Sequence, residues 1–163
     1  MRFPKHILVV AAAAFALTAV SCHKVDDERI PYAPVYIPFT TSGDWDTFGV
    51  SGAMLTNSFI KSQGIPEGYF YTDLAQTGFG GVLLVSNFSG EPRAYDLSCP
   101  VECRRDIIIT VDGEVAVCHT CGSTYDIFNA GAPVDGPAAQ HHYGLERYNV
   151  SSGNGTIFRI ITN

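Results

Sequence analysis

The predicted fold rests on two short stretches that carry paired cysteines, Cys99-Pro100-Val101-Glu102-Cys103 and Cys118-His119-Thr120-Cys121. Two apolar runs, residues 107–111 and 114–118, lie between them and flank Asp112-Gly113. An Asp-Gly pair between two such runs predicts a β-hairpin. Because a hairpin folds one arm back beside the other, we expect both cysteine pairs at its open end.

The spacing of these four cysteines is typical of a thiolate site. Three residues separate the first pair, two separate the second, and fourteen lie between the pairs. Such spacings occur in tetrahedral metal sites. They are equally compatible with two disulfides, and a cysteine can also be simply a small buried hydrophobic residue. Four cysteines in two pairs around one hairpin argue against the last interpretation, whereas spacing alone leaves metal and disulfides open.

Short apolar or alternating runs, broken by Gly, Asn, Asp and Pro, follow one another from Pro34 onward and predict a series of strands. The predicted strands are residues 35–39, 82–88, 93–97, 107–111, 114–118, 125–128, 145–150 and 156–161. A short helix is expected within residues 44–56, where Gly49 and Gly52 argue against a long one. We therefore expect one all-β domain over residues 34–163, large enough to have its own core.

Three motifs follow one another around the cysteines: Cys99-Pro100, then Cys118-His119-Thr120-Cys121-Gly122-Ser123-Thr124-Tyr125-Asp126, then Gly131-Ala132-Pro133-Val134-Asp135-Gly136-Pro137-Ala138. In order and spacing they resemble the Rieske iron–sulfur domain, whose loops carry Cys-Pro-His, Cys-x-x-His-Gly-Ser-x-Tyr/Phe-Asp and a Gly-Pro segment that covers the cluster. The resemblance extends over about residues 80 to 161. It implies a Rieske-like (ISP) fold of antiparallel sheets, with a small rubredoxin-like or zinc-ribbon-like hairpin subdomain that bears the site.

The histidine ligands of that family are missing from this chain. A Rieske centre binds one iron through two cysteines and the other through two histidines. Val101 stands at the first histidine position and Cys121 at the second, while Cys103 follows two residues after the first. The candidate ligands are therefore Cys99, Cys103, Cys118 and Cys121. The resemblance implies a [2Fe–2S] cluster on these four thiolates, with zinc, or two disulfides and no cofactor, as the alternatives.

The resemblance also assigns residues around the cluster. Ser123 and Tyr125 match the family's serine and tyrosine, which donate hydrogen bonds to cluster and cysteine sulfurs and raise the reduction potential. Gly136-Pro137 would close the third side of the site. The alternatives are plain turns at Ser123 and at Gly136-Pro137, and a simple strand aromatic at Tyr125. His119 and His141-His142 are expected to be exposed rather than ligands.

The N-terminus has the features of an export signal. Residues 1–21 begin with a short positive region, continue with an apolar core over residues 7–20 and end on a small residue, which is typical of a cleaved secretory signal peptide. Ala19-Val20-Ser21-Cys22 is similar to a relaxed bacterial lipobox. This implies that Cys22 becomes the lipidated first residue of the mature protein and anchors it in the bilayer. An ordinary signal with another cleavage point is the alternative.

Residues 22–33 are expected to form a lipidated tether. The stretch is acidic, punctuated by proline and without apolar periodicity, so it is predicted to stay extended. Asp26-Asp27-Glu28, just behind the lipidated cysteine, resembles the surface-export signals of Bacteroidota lipoproteins, and a solvated spacer is the alternative. The expected location is the bacterial cell envelope, with the domain anchored by lipid in the outer membrane, at the cell surface or on the periplasmic leaflet.

Charge and motif content exclude several functions. The formal charge of −6 disfavours nucleic acid and anionic lipid surfaces as partners. The sequence has no Walker loop, dinucleotide glycine fingerprint or serine-nucleophile elbow. An electron-transfer or binding module is therefore favoured over a catalyst.

Three function classes remain. The first is a lipid-anchored electron carrier with a redox partner in the envelope, and the second is a non-redox surface or periplasmic binding module with structural zinc or disulfides. A small subunit of an oxygenase or nitrite reductase comes last, because those partners work in the cytosol.

The signal lacks a twin arginine, so the chain is expected to cross the membrane unfolded, whereas iron–sulfur clusters are inserted in the cytosol. An oxidising envelope favours disulfides, and zinc needs no assembly machinery.

Overall fold

A computed structural model of the chain describes residues 24–163. The predicted signal peptide and the lipidation site at Cys22 lie outside the described residues. Within residues 24–163, no helix is long and apolar enough to cross a membrane. The described chain is all-β with antiparallel strand pairing, which confirms the predicted fold class.

Eleven strands and two short α-helices form the described structure. In chain order they are β1 Val35–Phe39, α1 Ser42–Phe48, β2 Thr56–Phe59, β3 Gln76–Thr77, β4 Val82–Ser86, β5 Pro92–Asp96, β6 Thr110–Asp112, β7 Val115–Val117, β8 Thr124–Asp126, β9 Ala132–Asp135, α2 Gly136–His141, β10 Arg147–Ser152 and β11 Arg159–Thr162. A single 3₁₀ turn, Lys61–Gln63, follows β2.

Seven strands form a nearly closed, barrel-like sheet in the order β2-β4-β5-β10-β11-β1-β3. β1 pairs with β11, so that Tyr36 lies opposite Thr162 and Phe39 opposite Arg159. The alternate residues of β1 point inward, as the period-two pattern of a strand requires. Among them Phe39 is fully buried, with ring centroids 4.9 Å from Trp45 and 5.7 Å from Phe59. This aromatic cluster forms the core of the large sheet.

The short helix predicted within residues 44–56 is present, but it begins earlier, at Ser42. α1 starts after Thr41, whose side chain accepts a hydrogen bond from the Asp44 N–H while the Asp44 carboxylate accepts one from the Thr41 N–H. This capping box fixes the first turn. The helix ends at Gly49, where a Cβ atom would lie 2.5 Å from the Trp45 ring. The packing of Trp45 therefore sets the end of the helix.

Four short strands form a second sheet in the order β6-β7-β8-β9. The hairpin predicted at Asp112-Gly113 is confirmed, with Asp112 opposite Val115 and Gly113 at a φ of +62°. The first predicted arm is only partly correct, because residues 107–109 do not pair with β7. They pair with the segment after β5 instead: the Cys99 N–H donates to the Ile107 carbonyl at 3.0 Å and the Ile109 N–H to Leu97 at 2.8 Å.

Several strand boundaries also differ from the prediction for local reasons. β8 stops at Asp126 rather than at residue 128, because its carboxylate accepts the N–H groups of Phe128 and Asn129 at 3.1 and 2.9 Å and turns the chain. β11 starts at Arg159, after a turn in which the Gly153 N–H donates to Phe158. Strands β2, β3 and β9 and helix α2 were not predicted.

A shared core joins the two sheets and contains part of the cysteine site. Leu83 and Tyr95 from the large sheet pack with Tyr125 of the small sheet, all of them fully buried. Cys99 and Cys118 belong to the same cluster. The site therefore lies at the junction of the sheets rather than at the tip of the hairpin.

Within the segment predicted to be an extended tether, residues 24–33 contact the domain at several points. Asp26 forms a parallel β-bridge with Tyr143, and its N–H donates to the His142 carbonyl at 2.8 Å. Ile30 and Ala33 are 7% and 5% exposed. Such single contacts leave no periodic pattern in the sequence, which is why the stretch resembled a tether.

Candidate metal centre

Three of the four predicted ligands come together in the structure. The Sγ atoms of Cys99, Cys118 and Cys121 all lie within 4.8 Å of one another, and those of Cys99 and Cys121 are 3.6 Å apart. Cys99 and Cys118 are buried and Cys121 is partly exposed. The three-thiol group is therefore buried in the core on the side of Cys99 and Cys118 and lies near solvent at Cys121.

Main-chain hydrogen bonds fix the two loops that carry these thiols. Cys118 follows β7 directly, its N–H donates to the Ser123 carbonyl at 2.9 Å, and the Gly122 N–H returns to the Cys118 carbonyl at 2.8 Å. Gly122 has a φ of +75°, a left-handed conformation that suits glycine. This tight turn brings Cys121 back over Cys118.

Strand β5, which leads into the cysteine site, is held in place by the buried carboxylate of Asp96. The sequence analysis did not identify this residue. Asp96, at the end of β5, accepts hydrogen bonds from the N–H groups of Gly80 and Ser98 at 3.0 and 2.6 Å and from the Tyr148 hydroxyl at 2.6 Å. Burial raises the pKa of Asp96 even though these donors lower it. Only the Gly-rich stretch before β4 hinted at this close packing, since a Cβ at Gly80 would lie 2.5 Å from the Ser98 nitrogen.

The fourth predicted ligand, Cys103, lies outside the three-thiol group of the described residues. Its Sγ contacts the Pro100 carbonyl at 3.1 Å and the Arg29 carbonyl at 3.6 Å, and the Arg29 guanidinium lies 3.8 Å away. Cys103 has a φ of +50°, which is uncommon for a residue with a side chain. Its role as a ligand stays a prediction. The sequence did not identify Arg29, because its segment was assigned to the tether.

Ser123 and Tyr125 both contact thiols. The Tyr125 hydroxyl is 3.5 Å from the Cys99 Sγ. The Ser123 Oγ accepts the Cys121 thiol proton at 3.2 Å and the Ala138 N–H at 3.0 Å, so it also ties the site to α2. Burial, followed by the hydrogen bond with Cys99, raises the pKa of Tyr125. The tyrosine therefore stays a neutral hydroxyl that can donate to a thiolate.

Gly136-Pro137 opens α2 and packs on the turn that carries Cys121. A Cβ at Gly136 would lie 2.9 Å from both the Gly122 carbonyl oxygen and the Ser123 Cα. Gly136 also has a φ of +76°. Close approach and backbone conformation together require glycine at position 136. The loop that contains Gly136-Pro137 therefore covers one side of the turn that carries Cys121.

The three histidines of residues 24–163 are not part of the three-thiol group. His119 is exposed, and its Nε2 is 2.8 Å from the Thr110 hydroxyl. His141 stacks on Tyr143 with ring centroids 5.2 Å apart. Within residues 24–163 the only group of possible metal ligands is the three cysteines.

The thiols differ in how readily they ionise. Burial raises the pKa of Cys99 to about 12, although the hydrogen bond from Tyr125 lowers it in part. Burial also opposes ionisation of Cys121, but the hydrogen bonds with Ser123 and the neighbouring thiols hold its pKa below the ordinary value. Cys121 therefore ionises more readily than Cys99. A bound cation would ionise the others, because a coordinating thiol is deprotonated by the metal.

The arrangement suits a single thiophilic ion. Zinc–sulfur bonds of about 2.3 Å give sulfur–sulfur edges of about 3.8 Å in a tetrahedron, close to the 3.6 Å between Cys99 and Cys121. The four candidate ligands are free cysteines in the described part of the chain. No protein-family model matches the chain, and no curated protein matches it either.

Proposed function

We propose that this chain is an exported, lipid-anchored metalloprotein in which Cys99, Cys118 and Cys121 bind a metal ion on a Rieske-like scaffold. The observation that carries the proposal is the convergence of three sulfur atoms within 4.8 Å at the junction of the two sheets. Two of these thiols are buried, and three buried or half-buried thiolates that close would repel one another without a cation.

The geometry supports one ion better than a two-iron cluster. In a Rieske centre each iron takes its own pair of ligands, so the pairs lie on opposite sides of the cluster. Three sulfurs that are all within 4.8 Å of one another fit a single coordination sphere. Zinc also suits a chain that crosses the membrane unfolded and acquires its metal afterwards. In this form the protein is a non-redox binding module of the cell envelope that holds one metal ion on three thiolates.

Electron transfer is the second candidate, and the hydroxyl groups around the thiols favour it. Tyr125 and Ser123 contact Cys99 and Cys121 at 3.5 and 3.2 Å. Hydrogen bonds to ligand sulfurs tune reduction potentials. Iron in the same thiolate sphere, or a [2Fe–2S] cluster that also recruits Cys103, would use these partners, and a redox protein of the envelope would be its partner.

Metal analysis of the purified protein, combined with its absorption spectrum, tests the proposal. Stoichiometric zinc without colour supports the non-redox binding module. Iron with visible absorbance that dithionite bleaches supports electron transfer. Four freely reactive thiols at positions 99, 103, 118 and 121 and no bound metal would contradict both.

The proposed anchor is tested separately at Cys22. Cys22→Ser removes the acyl acceptor, and stable anchoring requires acyl chains that this variant cannot carry. We expect the variant to leave the membrane fraction with its metal content unchanged, as measured by fractionation and metal analysis. A Cys22→Ser protein that stays in the membrane fraction would show that the lipid anchor is not at this residue.

A further inference from the structure

A strap, residues 25–30, crosses the loops beside the cysteine site. Its backbone is held on both sides, because the Asp26 N–H donates to His142 and the Gly144 N–H donates to the Asp26 carbonyl, each at 2.8 Å. The Asp27 carboxylate pairs with the Arg147 guanidinium at 2.5 Å. The strap is therefore fixed by main-chain bonds and by one ion pair.

The surface beneath the strap fits it closely at Gly144. A Cβ atom at Gly144 would lie 2.6 Å from the Val25 Cγ1 and 3.6 Å from the Asp27 Cβ, so a larger residue there would displace the strap. Ile30 is 7% exposed and closes the far end. Because a residue larger than glycine would not fit at position 144 beneath the strap, this surface is shaped to bind residues 25–30.

Arg29 is the strap residue that reaches the cysteine loop. Its Nε donates to the Pro100 carbonyl at 2.9 Å, and its guanidinium carbon lies 3.8 Å from the centroid of the Tyr143 ring. The same side chain lies 3.8 Å from the Cys103 Sγ, and the Cys103 thiol donates to the Arg29 carbonyl at 3.6 Å. Arg29 thus contacts both ends of the loop between Cys99 and Cys103.

We propose that Arg29 is a positioning residue that keeps Cys103 out of the metal's coordination sphere. While the strap is seated, the metal has three thiolate ligands and an open fourth position. Sites with three protein ligands and an open position bind water or a small ligand, whereas four thiolates make a closed structural site. When Arg29 is displaced, the Cys103 thiol loses its partners on the strap and becomes the fourth ligand. This inference rests on the proposed function, in which the three thiolates bind metal.

Alkylation of the zinc-loaded protein, mapped by mass spectrometry, tests the coordination. In the native protein we expect Cys103 to be alkylated while Cys99, Cys118 and Cys121 are protected by the metal. In Arg29→Ala, Cys103 loses its reactivity because it now binds zinc. Tyr143→Leu removes the ring under the guanidinium without touching Cys103 and should act in the same direction. Arg159→Ala is the matched control, since Arg159 also lies over an aromatic ring, that of Trp45, at 4.9 Å.

Zinc retention supplies the second measurement. Cys103→Ser should keep its zinc with Arg29 present, whereas Cys99→Ser loses it. Protection of Cys103 by zinc in the native protein, or loss of zinc from Cys103→Ser alone, would overturn the inference while leaving the metal site intact. If the native protein binds neither zinc nor iron, the proposed function fails. The contact between Arg29 and Cys103 is then tested on the metal-free protein. There Arg29→Ala must speed the alkylation of Cys103 and of no other cysteine, and an unchanged rate overturns the inference.

Discussion

The two sheets of this protein are held together in different ways. In the large sheet all five residues of β4 are buried, and rings such as Phe39 and Phe59 fill the interior. In the small sheet β6, β7 and β8 have three residues each and at most one that is fully buried. Strands this short cannot bury enough apolar surface to be stable alone. The difference teaches that the large sheet has a core of its own, whereas the small sheet depends on the core that it shares with the large sheet, which includes Cys99 and Cys118.

Removing a metal ligand should separate the two regions most strongly. Cys118→Ser deletes a buried thiolate from the group, and structural zinc sites contribute about 10 kcal/mol to the folding of small domains. We expect loss of metal and fast hydrogen exchange of the β6–β9 amides, while the fluorescence of Trp45, the single tryptophan, stays native. Cys103→Ser is the control. Simultaneous loss of both sheets would show that they unfold as one unit.

A cavity in the core of the large sheet should have the opposite effect: it should lower stability and leave metal binding unchanged. Phe39→Ala removes a fully buried ring that packs on Trp45 and Phe59, and such truncations cost about 3–5 kcal/mol. We expect a lower urea midpoint for the whole domain and an unchanged metal stoichiometry in the folded protein. Phe70→Ala is the matched control, because Phe70 is 84% exposed. Metal loss from folded Phe39→Ala would contradict the separation.

A smaller effect is expected from pH at Glu146, which directly precedes β10 of the large sheet. Burial, with the nearby Asp27 and Asp96 carboxylates adding to it, raises the pKa of Glu146 from 4.5 to about 7. The folded state then holds a proton that the unfolded state has released, so stability falls as pH rises from about 4.5 to about 7. Glu146→Gln should flatten this slope in urea titrations, leaving the part that the raised pKa of Asp96 contributes. The exposed Glu67→Gln should leave it unchanged, and an undiminished slope in Glu146→Gln would refute the assignment.

The sequence predicted what depends on local signals. The Asp112-Gly113 hairpin follows from turn chemistry, and the approach of Cys121 to Cys118 follows from the short spacing within that pair. The all-β class follows from the repeated short runs. These features need no knowledge of distant contacts.

What the sequence did not predict depends on contacts between distant segments. Residues 107–109 pair with residues 97–99 rather than with β7, and Leu97, Cys99 and Ile109 of this pairing are buried in the shared core. Arg29 acts on a loop more than seventy residues away. Cys103 is turned by its left-handed backbone toward that arginine, and no spacing rule contains this information.

The pairing of β1 with β11 has a consequence for how the protein is made. The Val35 N–H and the Asn163 side chain are bonded across a separation of 128 residues, at the edge of a sheet whose first and eleventh strands are neighbours. A nascent chain cannot close this sheet until nearly the whole sequence is outside the ribosome, and loop closure over such a length is slow. Synthesis therefore delivers an open polypeptide, and the sheet closes only after its last strand has emerged.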